Sequence, residues 1–144
     1  MGNSSSTVDI IIQRNSQVLF VKRKKEPFKG MLTFPGGFVD NYEKVEDTAI
    51  REVKEETSLS VKPIDILGVY SDPNRDPRGH VISTVFIAEI SDDNTEATAK
   101  DDAVDIKWMD IDNIDNENFG FDHKKIILDY RKWKQSKGTF WSNR

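Results

Sequence analysis

The chain reads as an α/β protein, a mixed β-sheet covered by helices, and three observations predict it. β-rich runs outnumber helical ones. Their connections mix a tight hairpin with longer crossovers, which calls for parallel and antiparallel neighbours in one sheet. Two stretches carry apolar residues at helical spacing, one mid-chain and one near the C-terminus. At 144 residues one domain with its own core is expected over residues 1–144, behind a polar segment 1–6.

The elements follow in order. Val8–Ile12 and Val18–Lys22 are β-rich and are joined by Gln13-Arg14-Asn15-Ser16-Gln17, a hairpin signal. Pro27 and Gly30 mark a loop, and Leu32–Val39 is extended around the pair Gly36-Gly37. A helix is expected over Lys44–Thr57, with Val45, Ala49, Ile50 and Val53 as its apolar residues. Asp40 followed by Glu43 resembles a capping box ahead of it. Ile64–Tyr70 reads as a strand, Val81–Ile90 as a long central one, and Val104–Met109 as another. Ser91–Asp102 carries no apolar pattern. The last helix is expected over Asp122–Lys134, with Ile126, Ile127, Tyr130 and Trp133 near one face.

Composition narrows the function classes. The net charge is −4 and there is no cysteine, so thiolate metal sites and disulfides are out and a reducing cytoplasm is the default expectation. A role gripping nucleic acid is disfavoured without a dominant basic patch. No apolar run approaches the roughly 20 residues of a membrane span. Met1-Gly2-Asn3-Ser4-Ser5-Ser6 formally fits a lipidation pattern; a polar terminus is the other reading. The acidity is concentrated: Asp40, Glu43, Glu46, Asp47, Glu52, Glu55 and Glu56 face only Lys44, Arg51 and Lys54.

Glu52, Glu55 and Glu56 stand at i, i+3 and i+4, on one face within about one helical turn. Like charges so placed cost a few tenths of a kcal/mol per pair, and Arg51 offsets only part of that. A hard divalent cation sharing phosphate oxygens would supply the rest. Taken alone, the triplet also fits a solvated acidic face.

The frame around it decides. Gly37, five residues, Glu43, seven residues, then Arg51-Glu52-Val53-Lys54-Glu55-Glu56-Thr57-Ser58-Leu59 resembles the Nudix box. A chance match of its six specified residues is on the order of one in a million. One position departs: the family's late glycine is Ser58, at an expected cost of up to about 1 kcal/mol in a left-handed C-cap.

The resemblance implies a Nudix-type α/β/α sandwich with a catalytic loop–helix–loop, and Mg²⁺, with Mn²⁺ as the alternative. Glu52, Glu55 and Glu56 would be ligands, assisted by a backbone carbonyl of Gly36 or Gly37. Arg51 and Glu43 would hold those carboxylates in place. Glu52 is the general-base candidate within the box; Asp101 or Asp102 is the candidate outside it.

Val69–His80, including Arg75-Asp76-Pro77-Arg78-Gly79, looks like a loop of the ADP-ribose pyrophosphatase branch. Gly120–Ile127 and Lys22–Phe28 are similar to further segments of it. Arg23, Phe28, Arg75, Asp76, Arg78 and His80 are therefore expected near substrate. Arg75 and Arg78 read equally as forked donors to phosphate or ribose, or as partners of Asp72 and Asp76 in a self-paired turn. His80 and His123 read first as structural hydrogen-bonders, and Phe28, Phe34 and Tyr70 offer adenine a surface only if they are not core.

The implied activity is hydrolysis of ADP-ribose to AMP and ribose 5-phosphate, on a nucleotide small molecule. The competing readings are a hydrolase of oxidised nucleoside triphosphates, or a non-catalytic sensor of ADP-ribose-like ligands. The sensor is disfavoured because the glutamates are intact and the chain ends soon after its last helix. The family makes a homodimer conceivable, with no sequence feature of its own.

Overall fold

The computed structural model describes residues 3–91, 97 and 103–144. Strand β1 (Ser5–Arg14) turns at Asn15, whose φ of 57° is left-handed, into β2 (Gln17–Arg23). β3 (Leu32–Thr33) and β4 (Gly36–Phe38) flank Phe34-Pro35. Helix α1 (Val45–Thr57) follows, then β5 (Val61–Tyr70), β6 (Val81–Ile90), β7 (Ala103–Asp110), α2 (His123–Ser136) and β8 (Phe140–Trp141). Among the described residues no helix is long and apolar enough to cross a membrane.

The strands form one mixed sheet in the order β3-β2-β1-β6-β5-β8, with β4 on β1 and β7 on β2. β1 runs parallel to β6 from Ser5↔Val81 to Gln13↔Glu89. Its other edge is divided. Thr7, Val8 and Asp9 pair with Phe38, Gly37 and Gly36 of β4, whereas Gln13 and Arg14 pair with β2. The sheet therefore opens beside β1, and a cleft forms there.

Alternation sorts the core onto two faces. Ile11, Val18, Phe20, Val85 and Ile87 pack with Ile126, Ile127, Tyr130 and Trp133 of α2. Their neighbours Ile10, Ile12, Leu19, Val21, Phe86 and Ala88 pack with Ala49 and Val53 of α1. One helix covers each face, so both sets are apolar, and the centre of β1 is the uninterrupted run Ile10-Ile11-Ile12. Each fully buried Ile, Leu or Phe contributes about 2 kcal/mol.

Two expectations for α1 are corrected. Ile50 is 39% exposed, because Val45, Ala49 and Val53 recur every fourth residue and Ile50 sits about 100° beyond Ala49. Thr48 and Thr57 complete the buried stripe instead. The cap is Lys44, with no side-chain capping bond. Glu43 Oε1 does accept the Asp40 amide at 3.2 Å, the return half of a capping box. The other half is missing, because the Glu43 amide donates to the Asp40 backbone carbonyl at 3.0 Å while the Asp40 carboxylate stands 3.4 Å from Arg51 Nη2.

At the other end Ser58 takes the C-cap at φ 68°, its amide donating to the Lys54 carbonyl at 3.0 Å. Its buried hydroxyl has no hydrogen-bond partner. Ser58→Gly is expected to stabilise the protein by about 1 kcal/mol, by removing the left-handed Cβ strain. That corresponds to a rise of about 4 °C in a thermal melt, with turnover unchanged. A fall in melting temperature would show that serine does more here than fill the cap.

β8 was not expected; two residues are too short to carry a pattern. It lies parallel to β5 with Gly68↔Phe140 in register. A Cβ at Gly68 would collide with the Phe140 carbonyl, so glycine permits that approach.

Candidate active site

A cleft of about 430 Å³ opens where β1 and β4 diverge from β2, a volume in the range of small-molecule sites. One wall is acidic. Glu52, Glu55 and Glu56 project into it from α1, and Gly36 and Gly37 of β4 lie against them. A Cβ at Gly37 would run into the Glu52 carboxylate. At Gly36 it would meet the Val8 carbonyl and lie 2.7 Å from Asp9 Oδ1. The glycine pair is there for close approach; neither residue has a positive φ.

Arg51 organises this wall. It donates through Nε to Glu43 Oε2 at 2.9 Å and through Nη2 to Glu43 Oε1 at 2.9 Å. Nη1 reaches Glu52 Oε1 at 2.9 Å and Glu55 Oε2 at 3.3 Å, and Nη2 also holds the Phe38 carbonyl at 3.1 Å. The two hydrogen bonds from Arg51, with help from Thr48, hold the Glu43 carboxyl down at about 2. The same pairing raises the Arg51 pKa above its ordinary value. Glu52 moves the other way: burial pushes its carboxyl up, against the pull of Arg51. Glu56 Oε2 accepts the Gly36 amide at 2.9 Å.

The donor set fits a hard divalent cation: carboxylate and carbonyl oxygens, no thiolate, and a guanidinium that holds the carboxylates together. Among the described residues no three acidic or imidazole side chains already converge on one point.

The opposite wall is built on β1, the loop before β6 and the start of α2. Arg75 is only 7% exposed. Its Nε and Nη2 fork onto Asp122 at 3.0 and 2.7 Å, and Nη2 stands 3.6 Å from Asp9. Arg78 forks onto Asp76 at 3.1 and 2.8 Å. Its guanidinium lies 5.4 Å from the Phe38 ring centroid and 5.8 Å from that of Phe121. The self-paired reading therefore describes Arg78, whereas Arg75 pairs outside the turn. Asp72 caps that turn by accepting the Asn74 amide at 2.8 Å.

The remaining expected residues divide. Arg23 lines the cleft, with its Nε on the Pro27 carbonyl at 2.6 Å and its guanidinium 5.1 Å from Phe121. Phe28 packs edge-on against Phe121 at 4.7 Å and lines a smaller neighbouring pocket with Arg75 and Asp122. His80 is exposed, with Nε2 2.9 Å from the Ser71 carbonyl, and is not among the residues lining the cleft. Phe34 and Tyr70 are core. Asp101 and Asp102 lie outside the described residues.

Sequence reasoning missed Asp9, Asp122 and Phe121 as parts of the site. Asp9 had a signal, being the one carboxylate inside Val8-Asp9-Ile10-Ile11-Ile12, and a buried charge in an apolar run is informative. Burial raises its pKa but is outweighed by His123, Arg75 and Ser83, which leave it below the ordinary value.

Fold and cleft define the class, an α/β protein with an acidic helix and carboxylate-paired arginines lining one cleft. The comparisons agree. The NUDIX domain model matches residues 4–130. The chain is 50% identical over 127 residues to the ADP-ribose pyrophosphatase of Methanocaldococcus jannaschii, covering 88% of this chain and 73% of that protein. The NUDIX domain of Shewanella oneidensis NrtR, solved with ADP ribose, superposes with a TM-score of 0.80 at 27% identity. That match covers 92% of this chain and 89% of the other. A bifunctional NMN adenylyltransferase/ADP ribose pyrophosphatase from Francisella tularensis, solved with AMP and a Mn ion, gives 0.79 at 30% identity. It matches 96% of this chain, which spans only 43% of that larger protein. The chain belongs to the Nudix family of hydrolases.

Proposed function

We propose that this protein is a Mg²⁺-dependent pyrophosphohydrolase that cleaves ADP-ribose to AMP and ribose 5-phosphate, with Mn²⁺ as an alternative ion. The observation that carries it is one cleft lined both by Glu52, Glu55 and Glu56 of α1 and by Arg75 and Arg78, each arginine oriented by the carboxylate it forks onto. A diphosphate is the ligand that suits both, since cation-bound oxygens face the acids and the others face the guanidinium side. The relatives support ADP-ribose as the substrate: the Methanocaldococcus jannaschii protein is an ADP-ribose pyrophosphatase, and the NrtR domain was solved with ADP ribose.

Glu52, Glu55 and Glu56, with a Gly36 or Gly37 carbonyl, would hold the cation. Bound there, such an ion neutralises phosphate charge and acidifies a water. The water oxygen attacks one phosphorus, the bridging P–O bond breaks, and the second phosphate leaves with the bridging oxygen. The water's proton needs a base, and Glu52, whose carboxylate lines the cleft, is the candidate within the box. Asp102 is the alternative base. Arg51 and Glu43 keep the carboxylates from scattering, and neither moves a proton. Arg75, oriented by Asp122, and Arg23 face the substrate side of the cleft, with Phe28 at its margin. Asp76 takes up the Arg78 charge and orients it. A cytoplasmic setting and a homodimer belong to the same reading, on composition and on family resemblance respectively.

The test is a product assay on purified protein with ADP-ribose, NAD, NADH, diadenosine polyphosphates and 8-oxo-dGTP, each with Mg²⁺ and with EDTA. Metal-dependent AMP and ribose 5-phosphate from ADP-ribose is the expected result. Pyrophosphate release from the triphosphate alone would replace the substrate. Tight ADP-ribose binding with no turnover would make the protein a sensor.

A further inference from the structure

The strip Phe34-Pro35-Gly36 runs beneath the acidic wall and is fastened at each residue. The Phe34 amide donates to His123 Nδ1 at 3.0 Å, the Pro35 carbonyl accepts from Ile10 at 2.9 Å, and the Gly36 amide donates to Glu56 Oε2 at 2.9 Å. There is no slack beneath it, since even a Cβ at Gly36 would collide with the Val8 carbonyl. His123 is 2% exposed and packs on the rings of Phe34 and Phe121, at centroid distances of 5.2 and 5.5 Å. A neutral imidazole has one acceptor nitrogen and one donor. Accepting the Phe34 amide at Nδ1 puts the ring proton on Nε2, which faces Asp9 Oδ1 at 3.4 Å. The other Asp9 oxygen is fixed by Ser83 Oγ at 2.6 Å, and the Asp9 backbone pairs with Gly36.

We infer that His123 is a positioning residue, whose Nδ1 fixes the Phe34–Gly36 strip and thereby sets where the Glu56 carboxylate stands. The link joins the first residue of α2 to the last turn of α1 across the sheet, and the proposed hydrolysis does not otherwise use it. Asp9 serves by selecting the tautomer, since only an imidazole protonated on Nε2 leaves Nδ1 free to accept. The metal-related part of this inference rests on Glu56 being a cation ligand.

Two isosteres separate positioning from packing. Both lose the imidazole ring, but the Asn amide oxygen of His123→Asn falls near Nδ1, whereas that of His123→Gln falls near Nε2. Exchange of the Phe34 amide is read by NMR without metal, and Mn²⁺ affinity by EPR without substrate. The two variants are expected to melt alike. H123N is expected to keep Phe34 protected and to hold Mn²⁺ within about twofold of the parent. H123Q is expected to exchange at Phe34 more than about tenfold faster and to bind Mn²⁺ about tenfold more weakly. Equal behaviour of the two variants, whether both intact or both impaired, would overturn the inference. A parent protein that does not bind Mn²⁺ would remove the ligand reading of Glu56, and Phe34 exchange would still decide whether His123 clamps the strip.

Discussion

Glu56→Gln is expected to cut turnover by about three orders of magnitude while leaving the fold intact, which corresponds to about 4 kcal/mol of lost transition-state stabilisation. The substitution keeps what the fold uses. Glutamine has the same length, and its amide oxygen can still accept from Gly36, as Glu56 Oε2 does at 2.9 Å. It removes one negative charge from the row Glu52, Glu55, Glu56, which relieves repulsion worth a few tenths of a kcal/mol. The melting temperature should therefore stay level or rise slightly. Glu55→Gln makes a graded control. Glu55 is more exposed and rests on Arg51 Nη1 at 3.3 Å, so its loss should cost about tenfold less than that of Glu56. Steady-state rates at saturating Mg²⁺, with melts alongside, check both. Turnover of Glu56→Gln within tenfold of the parent would mean that the acidic helix does not carry the chemistry.

What the sequence made legible was local or strictly spaced. Val81–Ile90 was read to the residue, because a strand covered on both faces is a long β-rich run. The glutamate row and its frame were legible because helix geometry and motif spacing both act within about twenty residues. The long-range pairings were not. Arg75 meets Asp122 47 residues away, and the Phe34 amide meets His123 89 residues away. Both pairings follow from β1 lying between β4 and β6, a topology that residue periodicity does not encode. Glu43 shows the limit at short range: its spacing from Asp40 suggests a cap, and its spacing from Arg51 suggests an ion pair. Both interactions form, the Asp40 amide on Oε1 at 3.2 Å and the Arg51 fork at 2.9 Å, and the shorter charge-assisted pair dominates. Phe121 lay inside the Gly120–Ile127 resemblance, but nothing in its own position marked the ring as part of the cleft.

Arg75→Met is the substitution expected to cost the most stability, about 3 kcal/mol, seen as a fall of about 10 °C in a thermal melt. Removing one partner of a buried ion pair leaves the other's desolvation uncompensated. Here two carboxylates lose their cation, Asp122 at 2.7 Å and Asp9 at 3.6 Å. Both keep some contact with solvent, and Asp9 keeps Ser83 and His123, which places the figure at the low end for a broken buried pair. Arg75→Lys restores the charge without the fork and should recover about half of the loss. The pH dependence carries a sign. In the parent, Asp9 is held below its ordinary 3.8, so the stability that its charge contributes is present above that value and is lost as pH falls through the lowered one. Arg75 is one of the groups that hold it down. The stability gap between parent and Arg75→Met should therefore be widest near neutrality and narrow as pH falls below about 4. Chemical denaturation of both proteins at pH 7 and at pH 3.5 measures it. A gap that is constant with pH would mean that the lost methylene packing of Arg75, rather than its charge, accounts for the destabilisation. A gap under 1 kcal/mol at pH 7 would mean that Asp9 and Asp122 find other partners once the guanidinium is gone.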